Sequence, residues 1–176
     1  MEYIFTLDYQ LDDDTVSDDE LVERLGACGC TDALVGTGLA GRLGLEFTRE
    51  ACSAEAALAS ALTDVRKAIP NARLIEASPD FVGLTDAAQW VGVSRQNMRK
   101  LMTTHSASFP LPVHAGSAGV WHLSDILDWL KSKGGYRIEE RLHDVARTAL
   151  QVNLLKETRR LAQPFSAMLE QGPEAH

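Results

Sequence analysis

The sequence lacks the features that would mark a membrane, exported or metal-binding protein. No apolar run approaches the roughly 20 residues that a transmembrane helix needs, and no basic segment followed by an apolar one stands at the N-terminus. Cysteine is scarce: Cys28, Cys30 and Cys52 are odd in number, and C-x-C is not a usual zinc spacing. We therefore expect a cytoplasmic protein with reduced thiols, no metal and no cofactor.

The sequence also lacks a catalytic constellation. Its five histidines are scattered and form no ligand pair, and no Ser/His/Asp or Cys/His set stands out. We therefore expect that the protein is not an enzyme.

Positive charge is scarce and unevenly distributed. The formal net charge is −8, which argues against a nucleic-acid binder when read over the whole chain. Residues 1–80 hold 16 acidic and 6 basic residues, residues 81–137 hold 3 and 6, and residues 138–176 hold 6 and 5. Only the central segment is net positive, so we expect any DNA binding to be modest and sensitive to salt.

Residues 84–101 predict two short helices around a glycine. Thr85 is the expected N-cap of the first helix, because its hydroxyl can accept from unpaired backbone N–H groups. Gly92 permits the positive φ that ends this helix, and Ser94 is the expected cap of the second.

The second of these helices has two distinct faces. Met98, Leu101 and Met102 fall on one face at helical spacing, and polar or basic residues fall on the other. A helix-turn-helix needs this division, because one face packs on its partner helix and the other is free for the major groove. The residues that we predict to bind DNA are Ser94, Arg95, Gln96, Asn97, Arg99, Lys100, Thr103 and His114.

The segment after this helix has the pattern of a wing. Residues 109–113 predict an extended strand, since each proline moves its predecessor away from the helical region. Residues 114–119 predict a small loop and residues 120–123 a return strand. Ser124 is the expected cap of a closing helix, whose apolar residues are Ile126, Leu127, Trp129 and Leu130.

The order of these pieces resembles the winged helix-turn-helix proteins of the excisionase/AlpA and MerR-like superfamily. The residues that carry the resemblance are Leu84-Thr85 with Ala88, Gly92-Val93-Ser94, Phe109-Pro110-Leu111-Pro112, Trp121, Ser124-Asp125-Ile126 and Trp129-Leu130. The resemblance implies a DNA-binding module over residues 84–130, with no cofactor. Such modules usually stand at the N-terminus and often carry Arg or Lys in the wing loop, whereas this wing offers only His114 and His122.

The N-terminal part predicts alternating strands and helices. Tyr3, Phe5, Leu7, Tyr9 and Leu11 alternate with polar positions, as in a strand with one buried face, which residues 12–14 end. Residues 17–20 form a capping box before a helix to about Cys28, with Leu21, Val22 and Leu25 expected inward.

The remaining N-terminal elements complete a β-α-β-β-α-β order. Residues 33–35 and 42–48 predict strands, Ser53 caps a longer helix that Pro70 stops, and residues 71–76 offer a last strand. We expect a ferredoxin-like domain over residues 1–79, joined by the short segment 77–80 to the next domain.

A glycine motif in this domain allows two interpretations. Residues 36–41 match G-x-G-x-x-G after a strand, but a dinucleotide site requires the third glycine to open a helix. Residues 42–48 alternate with period two, so we favour a hairpin turn.

The C-terminal part, residues 134–176, predicts a long helix. Gly134 and Gly135 break the preceding helix, and a helix is expected over residues 136–161, followed by a disordered tail from Gln171. Apolar residues step along it by four and three, as in a short coiled-coil seam for dimerisation: Ile138, Leu142, Val145, Ala149 and Val152. The alternative is a helix packed on its own chain.

These patterns together predict an α+β protein of three parts, residues 1–79, 80–133 and 134–176. The favoured function is a sequence-specific transcriptional regulator that binds double-stranded DNA as a homodimer. The alternative is a protein-interaction or ligand-sensing module, antitoxin-like or an adaptor, whose helix-turn-helix does not bind DNA specifically. In either case the N-terminal domain could bind a protein partner or a small-molecule effector.

Overall fold

The computed structural model describes residues 1–12 and 16–161 of the chain. Within that part the fold is mixed α+β, with a four-stranded antiparallel sheet, a two-stranded sheet and six helices. None of these helices combines the length and the apolar character that a membrane span requires.

Strands and helices alternate in the first half of the chain, and helices dominate the second. The first half contains β1 (Glu2–Gln10), α1 (Asp18–Ala27), β2 (Ala33–Gly36), β3 (Arg42–Glu50), α2 (Ala54–Ala68) and β4 (Arg73–Ser78). The second contains β5 (Phe81–Val82), α3 (Leu84–Val91), α4 (Arg95–Thr104), β6 (Trp121–His122), α5 (Leu123–Lys133) and α6 (Glu140–Arg160).

The large sheet has the strand order β2-β3-β1-β4, and all neighbouring strands are antiparallel. The alternation predicted for β1 is confirmed, because Tyr3, Phe5, Leu7 and Tyr9 are buried in the first core. Phe5 lies opposite Phe47 of β3, and the two rings stack with centroids 5.2 Å apart. One face of the sheet therefore packs on helices, and the other is open.

The predicted caps of α1 and α2 are confirmed. Ser17 and Ser53 each accept a hydrogen bond from the backbone N–H three residues on, at 3.3 and 3.1 Å. Leu21 and Leu25, four residues apart, form the buried stripe of α1. The prediction that Val22 points inward is wrong: its side chain is 49% exposed, since one residue rotates the helix by about 100° away from that stripe.

Residues 36–41 form the turn between β2 and β3. The two strands pair from Ala33 opposite Phe47 to Gly36 opposite Gly44, and Gly41 has a φ of +71°. Because a strand follows the third glycine, no helix N-terminus is available there for a pyrophosphate. The favoured hairpin interpretation is confirmed.

A second hydrophobic core lies between the helices of the C-terminal half. Its fully buried residues include Ala87, Met98, Leu123, Ile126, Leu127 and Leu130. Helix α6 contributes to both cores, because Val145 and Ala149 lie in the first and Ala146 lies in the second. The two halves therefore share one helix.

The strands predicted for the wing are largely absent. Residues 109–113 form no regular strand, and the loop is closed by a single bridge between His114 and Val120. The prolines explain this, since Pro110 and Pro112 have no N–H to donate to a ladder. The return strand is only β6, and it pairs with β5, a strand that the sequence analysis missed.

The predicted cap at Ser124 is wrong. Helix α5 begins at Leu123 with His122 in the N-cap position, two residues earlier than predicted, and the N–H of Leu123 donates to the carbonyl of Asp80 at 2.7 Å. Ser124 is buried inside the first turn, and its hydroxyl finds no partner among the described residues. A tertiary hydrogen bond thus fixes this helix start.

The proposed dimerisation seam is occupied within the chain. Helix α6 begins at Glu140 instead of Tyr136, so Ile138 precedes it. Val145 is 1% exposed and Ala149 0%. The other three seam residues are partly buried against the two cores: Ile138, Leu142 and Val152. The seam is therefore not free for a partner helix, and the helix packs on its own chain, as the alternative predicted. The disordered tail predicted from Gln171 lies outside the described residues.

The segment 77–80, expected as a short linker, is a buried junction. Asp80 is 0% exposed; its Oδ1 lies 2.6 Å from Nδ1 of His122, and its Oδ2 accepts from the Asn153 amide at 2.8 Å. That amide also bonds the backbone N–H and C=O of Ala77 at 2.8 and 2.9 Å. Asn153 thereby satisfies the outer edge of β4 and ties α6 to both halves.

A second buried polar network holds the first half together. Arg49 on β3 is 7% exposed and uses all five N–H donors. Two go to Asp32 at 2.8 and 2.9 Å, and one each to Asp64, Ser60 and the carbonyl of Gly29 at 2.9–3.0 Å. The hydrogen bonds from Arg49 lower the pKa of Asp32 below its usual value.

The junction predicts a large effect of Asn153→Ala. We expect the free energy of unfolding to fall by about 1–3 kcal/mol, because the change strands buried backbone groups and one oxygen of Asp80. Urea denaturation measures this, with the exposed Gln151→Ala on the same helix as the control. Equal midpoints for the two variants would contradict the role of the junction.

The Arg49 network predicts acid sensitivity. A carboxyl group whose folded pKa is depressed stabilises the fold above its unfolded pKa, and the stabilisation is lost as pH falls through the folded value. We therefore expect Asp32→Asn to lower the melting temperature at neutral pH and to flatten its decline as the pH falls through and below the ordinary aspartate pKa of about 3.9. The control is Glu23→Gln, an exposed carboxyl with no ion pair among the described residues. A parallel decline in Asp32→Asn and the parent would count against the network.

Candidate nucleic-acid interface

Helices α3 and α4 are joined by a short turn at Gly92, as the sequence predicts, but the first helix is capped differently. Gly83 takes the N-cap position with an extended backbone and no side-chain hydrogen bond, so Thr85 lies inside the helix and its predicted cap is wrong. Gly92 ends α3 with a φ of +78°, as predicted. Its N–H and that of Val93 both donate to the carbonyl of Ala88, at 2.9 and 3.0 Å, which sets the direction in which the chain enters α4.

Helix α4 presents the two faces that the sequence predicts. The Ser94 hydroxyl accepts from the N–H of Asn97 at 3.0 Å and caps the helix. Met98 is fully buried against the second core, with Leu101 and Met102 half-buried beside it. This burial fixes which side of the helix faces solvent.

Seven of the eight predicted DNA-binding residues lie on α4 or at its N-cap. Gln96, Lys100 and Thr103 lie on the side of the helix opposite Met98, whereas Arg95 lies one turn before Met98 at the exposed start of the helix. All seven are exposed: Ser94, Arg95, Gln96, Asn97, Arg99, Lys100 and Thr103. Helix α4 contains no acidic residue, and its three basic side chains make no ion pair within the described part of the chain. The hydroxyl of Thr103 donates to backbone carbonyls of its own helix, those of Arg99 and Lys100, at 3.1 and 3.2 Å.

A further cation extends this surface and was missed in the sequence. Lys133, in the last turn of α5, is exposed, and its Nζ lies 3.3 Å from Nδ1 of His105 at the end of α4. The same Nζ lies 5.2 Å from the centre of the Trp129 ring. A cation at the end of the closing helix is visible in the sequence, but only the fold puts it beside α4.

The loop after α4 is exposed but almost uncharged. His114 is exposed, as a predicted contact residue should be, but it lies outside α4, at the bridge to Val120 that closes the loop. Leu111 is 85% exposed and Val113 is 51% exposed. No Lys or Arg lies in residues 106–119, so α4 carries most of the positive charge of the module.

Three aromatic rings anchor this loop to α5. Phe109 meets Trp121 and Trp129 edge-on, with centroids 6.2 and 5.1 Å apart. The indole N–H of Trp121 donates to the carbonyl of Pro110 at 3.0 Å, and that of Trp129 to the hydroxyl of Ser108 at 3.3 Å. The two indoles therefore hold the loop through one backbone carbonyl and one side-chain hydroxyl, where it has no ladder of its own.

A cluster near the start of α6 has the residue types of a metal site. Glu140, His143 and Asp144 bring one possible ligand atom each within 4.8 Å of the others. However, Nε2 of His143 lies 2.6 Å from Asp128, and its Nδ1 lies 3.2 Å from the ammonium of Lys131. Both ring nitrogens are engaged and a cation faces the cluster, so the contacts fit an ion-pair network instead of a metal site.

Comparison of the chain with family models, curated proteins and solved structures gives no match. Among the described residues, α4 is a basic helix without ion pairs, and a glycine turn and a buried methionine fix its orientation.

The aromatic anchor predicts that Trp129→Ala destabilises the protein by about 3–5 kcal/mol, since the change opens a large cavity beside Phe109 and frees the loop. Chemical denaturation followed by circular dichroism measures this. Trp90→Ala is the matched control, because Trp90 is 46% exposed while Trp129 is 8% exposed. A Trp129 variant that unfolds with the parent would remove the anchor.

Proposed function

We propose that the protein is a sequence-specific DNA-binding transcriptional regulator of the winged helix-turn-helix type. The observation that carries the proposal is the exposed face of α4, with Arg95, Arg99 and Lys100 unpaired among the described residues in a chain of net charge −8. Because α4 contains no acidic residue, these three cations are clustered on one helix with no carboxylate on that helix to offset them. A phosphate backbone would supply the missing anions.

The proposal includes the finer architecture. The strand order β2-β3-β1-β4 is what a ferredoxin-like split βαβ domain requires, and it supports that assignment for residues 1–79. For residues 80–133, the support is the α3-turn-α4 geometry followed by a closed loop and a packed helix α5. The free thiols Cys28, Cys30 and Cys52 suit a cytoplasmic location.

In the proposed complex, the N-terminal end of α4 enters the major groove. Arg95 and Gln96 lie in the first turn, where base-edge contacts are usual. Their side chains suit bidentate contacts, arginine with guanine and glutamine with adenine. Arg99 and Lys100 lie one turn later and are placed to bind phosphates or further bases, with Lys133 at the far end.

We expect Arg95→Ala with Arg99→Ala to weaken specific binding strongly while leaving the fold intact. A base-reading arginine contributes roughly 1–3 kcal/mol of discrimination, so the double change should weaken operator binding by about a hundredfold or more. The measurement is fluorescence anisotropy with an operator selected from random DNA, at low and moderate salt.

The matched control removes two cations elsewhere. Lys67→Ala with Arg147→Ala changes the net charge equally, and both residues are exposed on helices outside the module. Specific affinity that falls equally in both double variants would reduce the effect to net charge. Unchanged affinity in a folded Arg95/Arg99 variant would refute the reading surface.

We also propose that the protein binds DNA as a symmetric homodimer, because one helix-turn-helix reads too few base pairs to select a site. With the α6 seam buried, the open face of the large sheet is the remaining candidate surface. Ile4 and Leu34 lie on that face and are 59% and 71% exposed.

The dimer predicts a pseudo-palindromic operator with half-sites about 34 Å apart. Ile4→Glu with Leu34→Glu should yield a folded monomer with much weaker operator binding, as measured by light scattering and anisotropy. Val22→Glu with Leu39→Glu is the control, since both residues are exposed away from the open sheet face. A parent protein that is monomeric both free and on DNA would exclude the dimer.

A second candidate function is a protein-interaction module of antitoxin or adaptor type. The observation in its favour is the loop after α4, where Leu111 and Val113 are exposed and cations are absent. Apolar side chains at such a position suit a protein surface better than phosphates. Failure of the parent protein to select any operator, together with loss of partner capture in Leu111→Ser, would favour this candidate.

A further inference from the structure

A groove of about 260 Å³ lies between α2, β4 and the C-terminal half of α6. Its floor is apolar, formed by Val65 and Ile69 of the α2 region, Leu74 of β4, and Val152 and Leu155 of α6. The volume is slightly below the roughly 300–1,000 Å³ of typical small-molecule sites, so the groove suits a small, slender ligand; such sites are concave and mainly apolar with a few polar groups.

The polar groups of this groove have one sign of charge. Arg66, Lys156 and Arg159 line it, and no acidic residue does. Lys156 is engaged, since it donates to the carbonyl of Ile75 and lies 3.0 Å from Glu157. Arg66 and Arg159 are exposed and make no ion pair within residues 1–12 and 16–161.

This combination is unusual in its context. Residues 1–80, which form most of the groove wall, hold 16 acidic and 6 basic residues, yet the groove rim presents only cations. An apolar trough ending in two free guanidinium groups complements a molecule with an apolar body and an anionic head.

We propose that this groove binds an anionic amphipathic small molecule, of the class of medium-chain fatty acids and aryl carboxylates. The apolar body lies along Val65, Leu74 and Leu155, and the carboxylate is held by Arg66 and Arg159. Guanidinium groups suit this task because their planar N–H pairs match a carboxylate.

The groove is connected to the candidate interface through α6. Val152 at the groove precedes Asn153, whose amide bonds Asp80, and Asp80 in turn contacts His122 at the start of α5. An effector role for the ligand rests on the proposed function, whereas binding itself does not require DNA. The binding experiment therefore fails or succeeds independently of operator recognition.

The test is isothermal titration calorimetry of the full chain with decanoate, below its micelle concentration, and with 1-decanol as the uncharged match. We expect one saturable site for decanoate, with decanol at least about tenfold weaker because the charge-assisted hydrogen bonds are lost. The variant Arg66→Gln with Arg159→Gln should lower decanoate affinity by a similar factor and leave decanol unaffected.

Two further variants keep the test specific. Leu155→Glu puts a carboxylate at the groove and should abolish decanoate binding; circular dichroism checks that it folds. Arg147→Gln, on α6 outside the groove, should bind as the parent does. No saturable decanoate site, or equal loss in the Arg147 variant, would overturn the proposal. Leu155-dependent self-association in light scattering would assign the groove to a second copy of the chain and overturn it as well.

Discussion

The structure depends on one buried carboxylate. Asp80 is removed entirely from solvent, and a buried charge is tolerable only when its oxygens are paired or hydrogen-bonded. His122 and Asn153 provide those contacts, and they come from two distant elements, β6 and α6. The need to satisfy Asp80 therefore determines where the four-stranded sheet, the helices of the second half and α6 meet. The same residue supplies the backbone carbonyl from which α5 starts.

Helix α6 turns this local requirement into a property of the whole chain. Its buried face contributes to both hydrophobic cores, and Asn153 replaces a missing neighbour strand at the outer edge of β4. An open strand edge invites pairing with another chain, so this capping also protects the sheet. A change that reaches α6 at Val152 or Lys156 can therefore be felt by both halves, which gives the basic groove a physical route to α4.

Packing sets the orientation of the candidate interface, and the distribution of charged residues sets its potential. Burial of Met98 and the left-handed Gly92 orient α4, and the absence of acidic side chains leaves its outer face positive. In the proposed complex with DNA, the acidic residues of the first half of the chain repel the phosphates over a longer range. The proposal therefore predicts an affinity that depends strongly on ionic strength, with discrimination left to the few side chains of the first turn of α4.

Local sequence was sufficient wherever the deciding interaction is local. The alternation of β1, the serine caps of α1, α2 and α4, the glycine turn at Gly92 and the buried stripe of α5 were all predictable, because each depends on neighbours within a few residues. The polar face of α4 was predictable for the same reason. Tertiary contacts decided most of the rest. The carbonyl of Asp80 accepts from the first N–H of α5, so this helix starts before Ser124 and Ser124 does not cap it. The segment after α4 has a single bridge, because its prolines cannot donate to a ladder, and the indoles of Trp121 and Trp129 hold it in place. The heptad-like spacing of α6 is compatible with packing on a partner helix and equally with packing on the chain's own cores. Only the tertiary structure distinguishes the two, because it buries Val145 and Ala149 inside the chain, where no partner helix can contact them.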